Sequence, residues 1–183
     1  MDLKIISKEE VLLKSLLEYF KNNNIISQFI PIIIGDSSIS LRVIDWFITN
    51  YSYNNNIEYY LYRNNEKCLF NVYNNYKCQL KSYNKRFFDP FCRINKNNTF
   101  KKIIFKYDND KYIQTTIAQI NFFKWAINND VILYINNNYQ KIYNNMKLNK
   151  KKKNINKIEN IINTKNTNRI LNINNNLVNN EIY

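Results

Sequence analysis

Apolar residues recur at two different spacings along this chain, and the spacing changes from segment to segment. Val11, Leu13, Leu16, Leu17 and Phe20 follow one another at helical intervals. They lie behind Ser7-Lys8-Glu9-Glu10, in which Ser7 and Glu10 have the separation of a capping box. The pattern predicts an amphipathic first helix that ends at Asn22-Asn-Asn24. Residues 30–34, Ile-Pro-Ile-Ile-Ile, read as a short buried strand, with Pro31 restricting it to an edge or a strand start. Gly35-Asp-Ser-Ser38 is a turn. Helical spacing returns with Leu41, Ile44, Phe47, Ile48 and Tyr51 behind Ser38 or Ser40 as cap, predicting a second, largely buried helix over 41–51 with Trp46 in the core.

The period then drops to two. Residues 57–62 read as an aromatic-rich strand, 63–67 as a turn and 68–83 as a long second strand. In that strand Phe70, Val72, Tyr76, Cys78 and Leu80 share an inward side, leaving Lys77 and Lys81 outward, in line with Tyr73 and Tyr83. A helix competes here, because Val72, Tyr76, Leu80 and Tyr83 also fit its period. Residues 85–93 make a corner around Pro90. Residues 100–107 and 111–114 flank Asp108-Asn-Asp110 as a hairpin. Thr116 and Gln119 form a second capping box before residues 117–127, which are apolar around most of a helical circumference and so buried on most sides. Asn128-Asn-Asp130 breaks that helix, and Asp130 is placed to cap a last one running along Val131, Ile132, Ile135, Tyr139, Ile142 and Met146. The expected fold class is α+β. It is an antiparallel meander of about four strands with two helices before and two after, over residues 1–146. A disordered, low-complexity tail is expected from 147 to 183.

Composition changes this picture in three ways. Asparagine makes up about a fifth of the 183 residues, and Gly35 is the single glycine. Asn, Lys, Ile, Tyr and Phe have AT-rich codons, so part of the formal charge of +13 can reflect coding bias rather than function. A basic balance still favours polyanionic surroundings. With no histidine in the chain, Ser-His-Asp and Cys-His chemistry and His-based metal sites are excluded. Cys68, Cys78 and Cys92 are too widely spaced for a zinc knuckle or redox pair, and read as buried or half-buried free thiols in a reducing compartment. The N-terminal residues lack the apolar run of a signal peptide, and residues 25–34 are too short to span a bilayer, so a soluble intracellular protein is expected.

Candidate chemistry is therefore sought among cations and aromatic rings. The acids Asp45, Glu58, Glu66, Asp89, Asp108 and Asp110 are scattered, and one glycine cannot build a phosphate-cradling loop. No enzymatic site and no cofactor is expected. The basic and aromatic set Tyr73, Lys77, Lys81, Tyr83, Lys85, Arg86, Arg93, Lys96, Lys101, Lys102 and Lys106 fits nucleic-acid binding, with cations on phosphates and rings on unpaired bases. Lys150, Lys151, Lys152 and Lys153 would add a basic tail. An ordinary solvated face in a lysine-rich chain would look the same.

Three stretches carry a resemblance: Ser40-Leu-Arg-Val-Ile-Asp-Trp-Phe-Ile-Thr-Asn-Tyr51, Phe88-Asp-Pro-Phe-Cys-Arg93 and Thr115-Thr-Ile-Ala-Gln-Ile-Asn-Phe-Phe-Lys-Trp-Ala-Ile127. They resemble small proteins of unassigned function from large nucleocytoplasmic DNA viruses, the mimivirus-like and algal-virus kind. The resemblance spans roughly 41–142 and implies a viral origin, with residence in the host-cell viral factory or the virion. No activity or site residue carries over from it. The family's second stretch is more basic than the version here, which keeps Arg93 alone. The expected function is a non-enzymatic viral nucleic-acid-associating protein. The alternative is a virion or viral-factory scaffold whose aromatic residues meet a viral protein partner.

Overall fold

The computed structural model of the chain describes residues 7–21, 23–91, 102–152 and 155. It divides into two compact units, Met1–Ile142 and Tyr143–Tyr183. In the first unit α1 (Lys8–Tyr19) is followed by two short helices, α2 (Asn23–Ile26) and α3 (Ile30–Ile34). Then come α4 (Leu41–Trp46), a π-helical turn (Phe47–Tyr51) and the short α5 (Ser52–Asn54). Strands β1 (Glu58–Arg63) and β2 (Glu66–Asn71) lead into α6 (Val72–Phe87). Strands β3 (Lys102–Asp108) and β4 (Lys111–Thr116) precede α7 (Ile117–Asn128) and α8 (Val131–Asn137), and residues 139–142 are again helical.

The mixed helix-and-strand class stands, but the strands do not form one meander. Among the described residues, β1 pairs with β2 and β3 with β4, as two separate antiparallel hairpins. Asn64 and Asn65, with φ of 50° and 66°, make the two-residue turn of the first. Positive φ at both central residues matches the right-handed twist of the flanking strands, and asparagine tolerates it.

Each hairpin turns one face to the core. From the first, Leu61 and Phe70 are buried, and Tyr59 stacks on Tyr134 of α8 with ring centroids 5.2 Å apart. From the second, Phe105 is buried within 5.9 Å of the Phe20 ring and 6.2 Å of the Phe29 ring. Between them runs α7, packed against α1, α6 and α8. It buries Ile120, Phe122, Phe123, Trp125 and Ala126, as its apolar circumference predicted.

Three expectations are corrected. Residues 30–34 are helix rather than strand. Pro31 sits in the first turn, where its missing N–H breaks no helical bond, and Gly35 at φ 91° provides the left-handed C-cap. Asp130 does not cap α8 with its side chain. It adopts φ 52°, and its backbone carbonyl accepts from the Tyr134 N–H at 2.8 Å. The third correction bears on function: the strand predicted over 68–83 stops at Asn71, and 72–87 are helical.

The switch at Asn71 has a local cause. Its Oδ1 accepts from the Asn74 N–H at 2.9 Å, an N-cap that satisfies a donor the helix would otherwise leave orphaned. Val72 and Tyr76 are then buried at helical spacing. The same Asn71 side chain donates to Glu58 Oε1 at 2.8 Å, tying the cap to β1. Asn71→Ala is expected to destabilise the unit by about 1 kcal/mol through the lost cap; urea denaturation followed by circular dichroism measures it, and an unchanged midpoint would contradict this role for the cap.

In the second unit, residues 143–152 are helical. This overturns the expectation of disorder for 147–152, which raised charge density and low complexity above helix propensity. Lys and Leu are good helix formers, and the Asn149 side chain donates to the Asn145 carbonyl at 3.0 Å, one turn back.

Candidate nucleic-acid interface

The exposed face of α6 is cationic. Its sequence, VYNNYKCQLKSYNKRF, holds four Lys or Arg and no carboxylate. Lys77 and Lys81 are four residues apart, one helical turn, and both are exposed. Among the described residues neither makes a salt bridge. Two like charges at this spacing repel, costing the helix about 0.2–0.5 kcal/mol. The face therefore spends stability on a charge pair that nothing within the described residues neutralises.

Aromatic rings flank the pair on one side. Lys77 Nζ lies 6.0 Å from the centroid of the Tyr73 ring. Tyr73 in turn meets Tyr53 of α5 at 4.7 Å. Tyr53 is 63% exposed, leaving its ring open to solvent beside a cation. The sequence reading missed Tyr53, because nothing local to 52–54 indicates that α5 packs against α6.

The other sequence candidates disperse. Tyr83 turns away from the lysines, and its ring stacks on the buried Phe88 at 6.3 Å. Asn84, at φ 50° and ψ 178°, kinks the helix, so Lys85 and Arg86 do not continue the stripe of Lys77 and Lys81. Arg86 pairs with Glu9 at 3.4 Å and lies over the Phe87 ring. Lys102 is on the outward face of β3, where it donates to Gln114 Oε1 at 2.9 Å. Lys150, Lys151 and Lys152 are exposed on the helix of the second unit. Arg93, Lys96, Lys101 and Lys153 lie outside the described residues.

A basic sheet face containing tyrosine does occur, on strands other than the one expected. Lys102, Ile104 and Lys106 of β3 point outward with Tyr112 and Gln114 of β4, opposite the inward Phe105 and Ile113. Lys106 Nζ lies 5.7 Å from the Tyr112 ring centroid. The first hairpin repeats the device, with Lys67 Nζ 4.0 Å from the Tyr60 ring. Alternation of Lys102 and Lys106 with Phe105 was the signal for this face.

Cys68 and Cys78 are exposed free thiols, against the expectation of burial. Cys78 is outward because helix geometry places it with Lys77 and Lys81, where a strand would have turned it inward. Cys92 lies outside the described residues. Among the described residues no group of three or more His, Cys, Asp or Glu gathers to hold a metal ion, and no helix is long and apolar enough to cross a membrane. The Tyr59 hydroxyl is held well above its ordinary pKa, first by burial and then by Asp130 and Tyr134. It donates to the Asn129 carbonyl at 2.6 Å and is part of the packing.

These features define a small α+β protein with a cationic helix and two lysine–tyrosine hairpin faces. The chain belongs to DUF7197, a family of unknown function whose model matches residues 1–183. It is 44% identical over 129 residues to uncharacterised protein L507 of Acanthamoeba polyphaga mimivirus. That match covers 67% of this chain and 47% of the viral protein, so the chain spans about half the length of this relative. The resemblance to proteins of large DNA viruses thus holds. No solved structure matches the chain.

Proposed function

We propose that this protein associates with nucleic acid without acting as an enzyme, through the exposed face of α6. The observation that carries the reading is the Lys77–Lys81 pair, placed together on an acid-free helix with no carboxylate partner among the described residues. A phosphate backbone relieves that repulsion and releases its own counterions. Tyr53 and Tyr73, beside Lys77, offer ring faces to unpaired bases, which favours single strands. The outward faces of the two hairpins and Lys150, Lys151 and Lys152 supply further cations. The setting we propose for this association is a viral factory or a virion, a reading supported by the viral relative.

The test is titration of labelled single-stranded DNA and RNA across salt concentrations. Lys77 and Lys81 on phosphates contribute about −1.4 to the slope of log affinity against log salt, −0.7 per contact, and the further cations steepen it. No binding at low salt would reject the reading. Tyr53→Ala is expected to weaken single-strand binding by about 1–3 kcal/mol while leaving duplex binding nearly unchanged, because stacking requires an unpaired base. Fluorescence anisotropy on both substrates measures the difference, and equal losses on both would contradict a stacking role.

A second reading rests on Tyr60, Tyr62 and Leu69, exposed together on the outer face of the first hairpin. Such aromatic anchors suit a protein partner, and so a scaffold. High copy number in purified particles by mass spectrometry would favour it over nucleic-acid association.

A further inference from the structure

A second surface of the first unit has a different chemistry. Between α1, α6, α7 and the end of β1 lies a cleft of about 440 Å³, lined mainly by polar side chains with Leu12 and Trp125 beside them. Its charged groups are Arg63 and Lys124, and no carboxylate lines it among the described residues. Among the described residues Lys124 Nζ meets only a ring, that of Tyr19 at 5.1 Å. The Arg63 guanidinium donates to Asn129 Oδ1, which uses one of its five donors.

Two of the amides are held by bonds to neighbouring side chains. Asn75 Oδ1 accepts from Trp125 Nε1 at 2.7 Å. Asn128 Oδ1 accepts from the Tyr19 hydroxyl at 2.6 Å. Each oxygen keeps a second lone pair and neither N–H₂ group is bonded among the described residues, so both amides can still donate and accept. Gln79, half-buried on α6, adds a side chain with no partner among the described residues. The cleft therefore presents two cations and no carboxylate among the described residues, set among amides and hydroxyls that can both donate and accept. Its complement is a ligand rich in negative oxygen. The cleft has more room than one phosphate needs and falls within the size range of small-molecule sites, roughly 300–1,000 Å³.

We propose that this cleft binds a phosphate ester of nucleotide size, with Arg63 and Lys124 on the phosphate and the amides of Asn75, Gln79 and Asn128 on the rest of the molecule. The site is separate from the Lys77–Lys81 face, which points away from it, and does not rest on the nucleic-acid reading.

Trp125 reports on the site, because its indole N–H is bonded to Asn75 in the cleft wall. The experiment is a titration of the full chain with the four nucleoside monophosphates and with inorganic phosphate, following the two indole N–H resonances by NMR. A Trp46→Phe variant assigns them. The expected result is a saturable shift of the Trp125 resonance with at least one nucleotide, and a steady Trp46 resonance. Lys124→Gln, a half-exposed change, should weaken it at least tenfold while leaving spectral dispersion intact. Lys77→Glu with Lys81→Glu should leave this titration unchanged and reduce only polyanion binding. An unmoved Trp125 resonance with every probe at millimolar concentration would overturn the proposal. So would inorganic phosphate binding as tightly as the nucleotides, since the amides would then contribute nothing.

Discussion

Phe88→Ala is expected to lower the stability of the first unit by about 3–5 kcal/mol, the range for removing a fully buried phenylalanine. Phe88 is 1% exposed and follows directly on α6. Its ring meets Trp125 at 5.6 Å and Phe122 at 5.4 Å on α7, and Tyr76 at 5.9 Å and Tyr83 at 6.3 Å on α6. It is the wedge that holds α6 against the buried helix, and the backbone reinforces it where the Asp89 N–H donates to the Ala118 carbonyl at 3.3 Å. Alanine leaves a cavity that four aromatic rings cannot close by small rotations. Guanidinium unfolding monitored by tryptophan fluorescence measures the loss, since Trp125 lines that cavity. A change below about 1 kcal/mol, the scale of an exposed site, would show that α6 is not anchored this way.

The second large effect is on binding. Lys77→Glu with Lys81→Glu is expected to reduce affinity for single-stranded nucleic acid by at least tenfold at moderate salt, and to flatten the salt slope by about 1.4. Loss of folding is separated from this outcome by the Lys77→Glu single variant, which carries an opposite stability signature. Lys77→Glu puts a glutamate four residues before Lys81, the favourable order of an ion pair along a helix. It should therefore stabilise α6 by a few tenths of a kcal/mol, replacing a repulsion with an attraction, while weakening polyanion binding. Thermal unfolding and anisotropy on the same sample measure both. A variant that loses stability, or keeps full affinity, contradicts the assignment of these side chains to the helix surface.

Much of the fold was legible where its cause is local. The Ser7–Glu10 box is present in both directions, at 3.2 and 2.9 Å. The hairpin turn at Asp108 is held as expected, its carboxylate accepting from the Asn109 N–H at 2.8 Å and pairing with Lys111 at 3.2 Å. Half of the predicted Thr116 box formed. The Gln119 N–H donates to Thr116 Oγ1, but the Gln119 side chain is buried and bonds the Pro90 carbonyl and the Thr115 hydroxyl instead. No reading of residues 116–119 alone could show that tertiary demand.

Residues 72–83 were misread because they satisfy two periods at once. Asparagine is polar under either period, so Asn74 and Asn75 do not discriminate. The decision lay with the Asn71 cap and with the rings of Phe88 and Trp125 awaiting Tyr76, and neither is visible in the periodicity. Part of the site nevertheless survives the change from strand to helix. A separation of four residues is cofacial on a strand, being even, and on a helix, being about one turn. Lys77 and Lys81 therefore stayed together. Tyr83 is six residues from Lys77, cofacial on a strand but roughly 240° around a helix, so it moved to the opposite side. Cys78 moved in the reverse sense, from the core side to the surface. The polar cleft gave no sequence signal at all, because Arg63, Gln79, Lys124 and Asn128 come from three separate elements.

The exposed Cys78 makes the α6 surface directly measurable. Alkylation of Cys68 and Cys78 by a thiol reagent is followed by peptide mass spectrometry, with and without a saturating single-stranded oligonucleotide at low salt. The expected result is at least a several-fold slowing at Cys78, beside Lys77 and Lys81, with Cys68 reacting at its free rate. Equal rates at Cys78 with and without the oligonucleotide, although binding is saturated, would contradict the placement of nucleic acid on this helix.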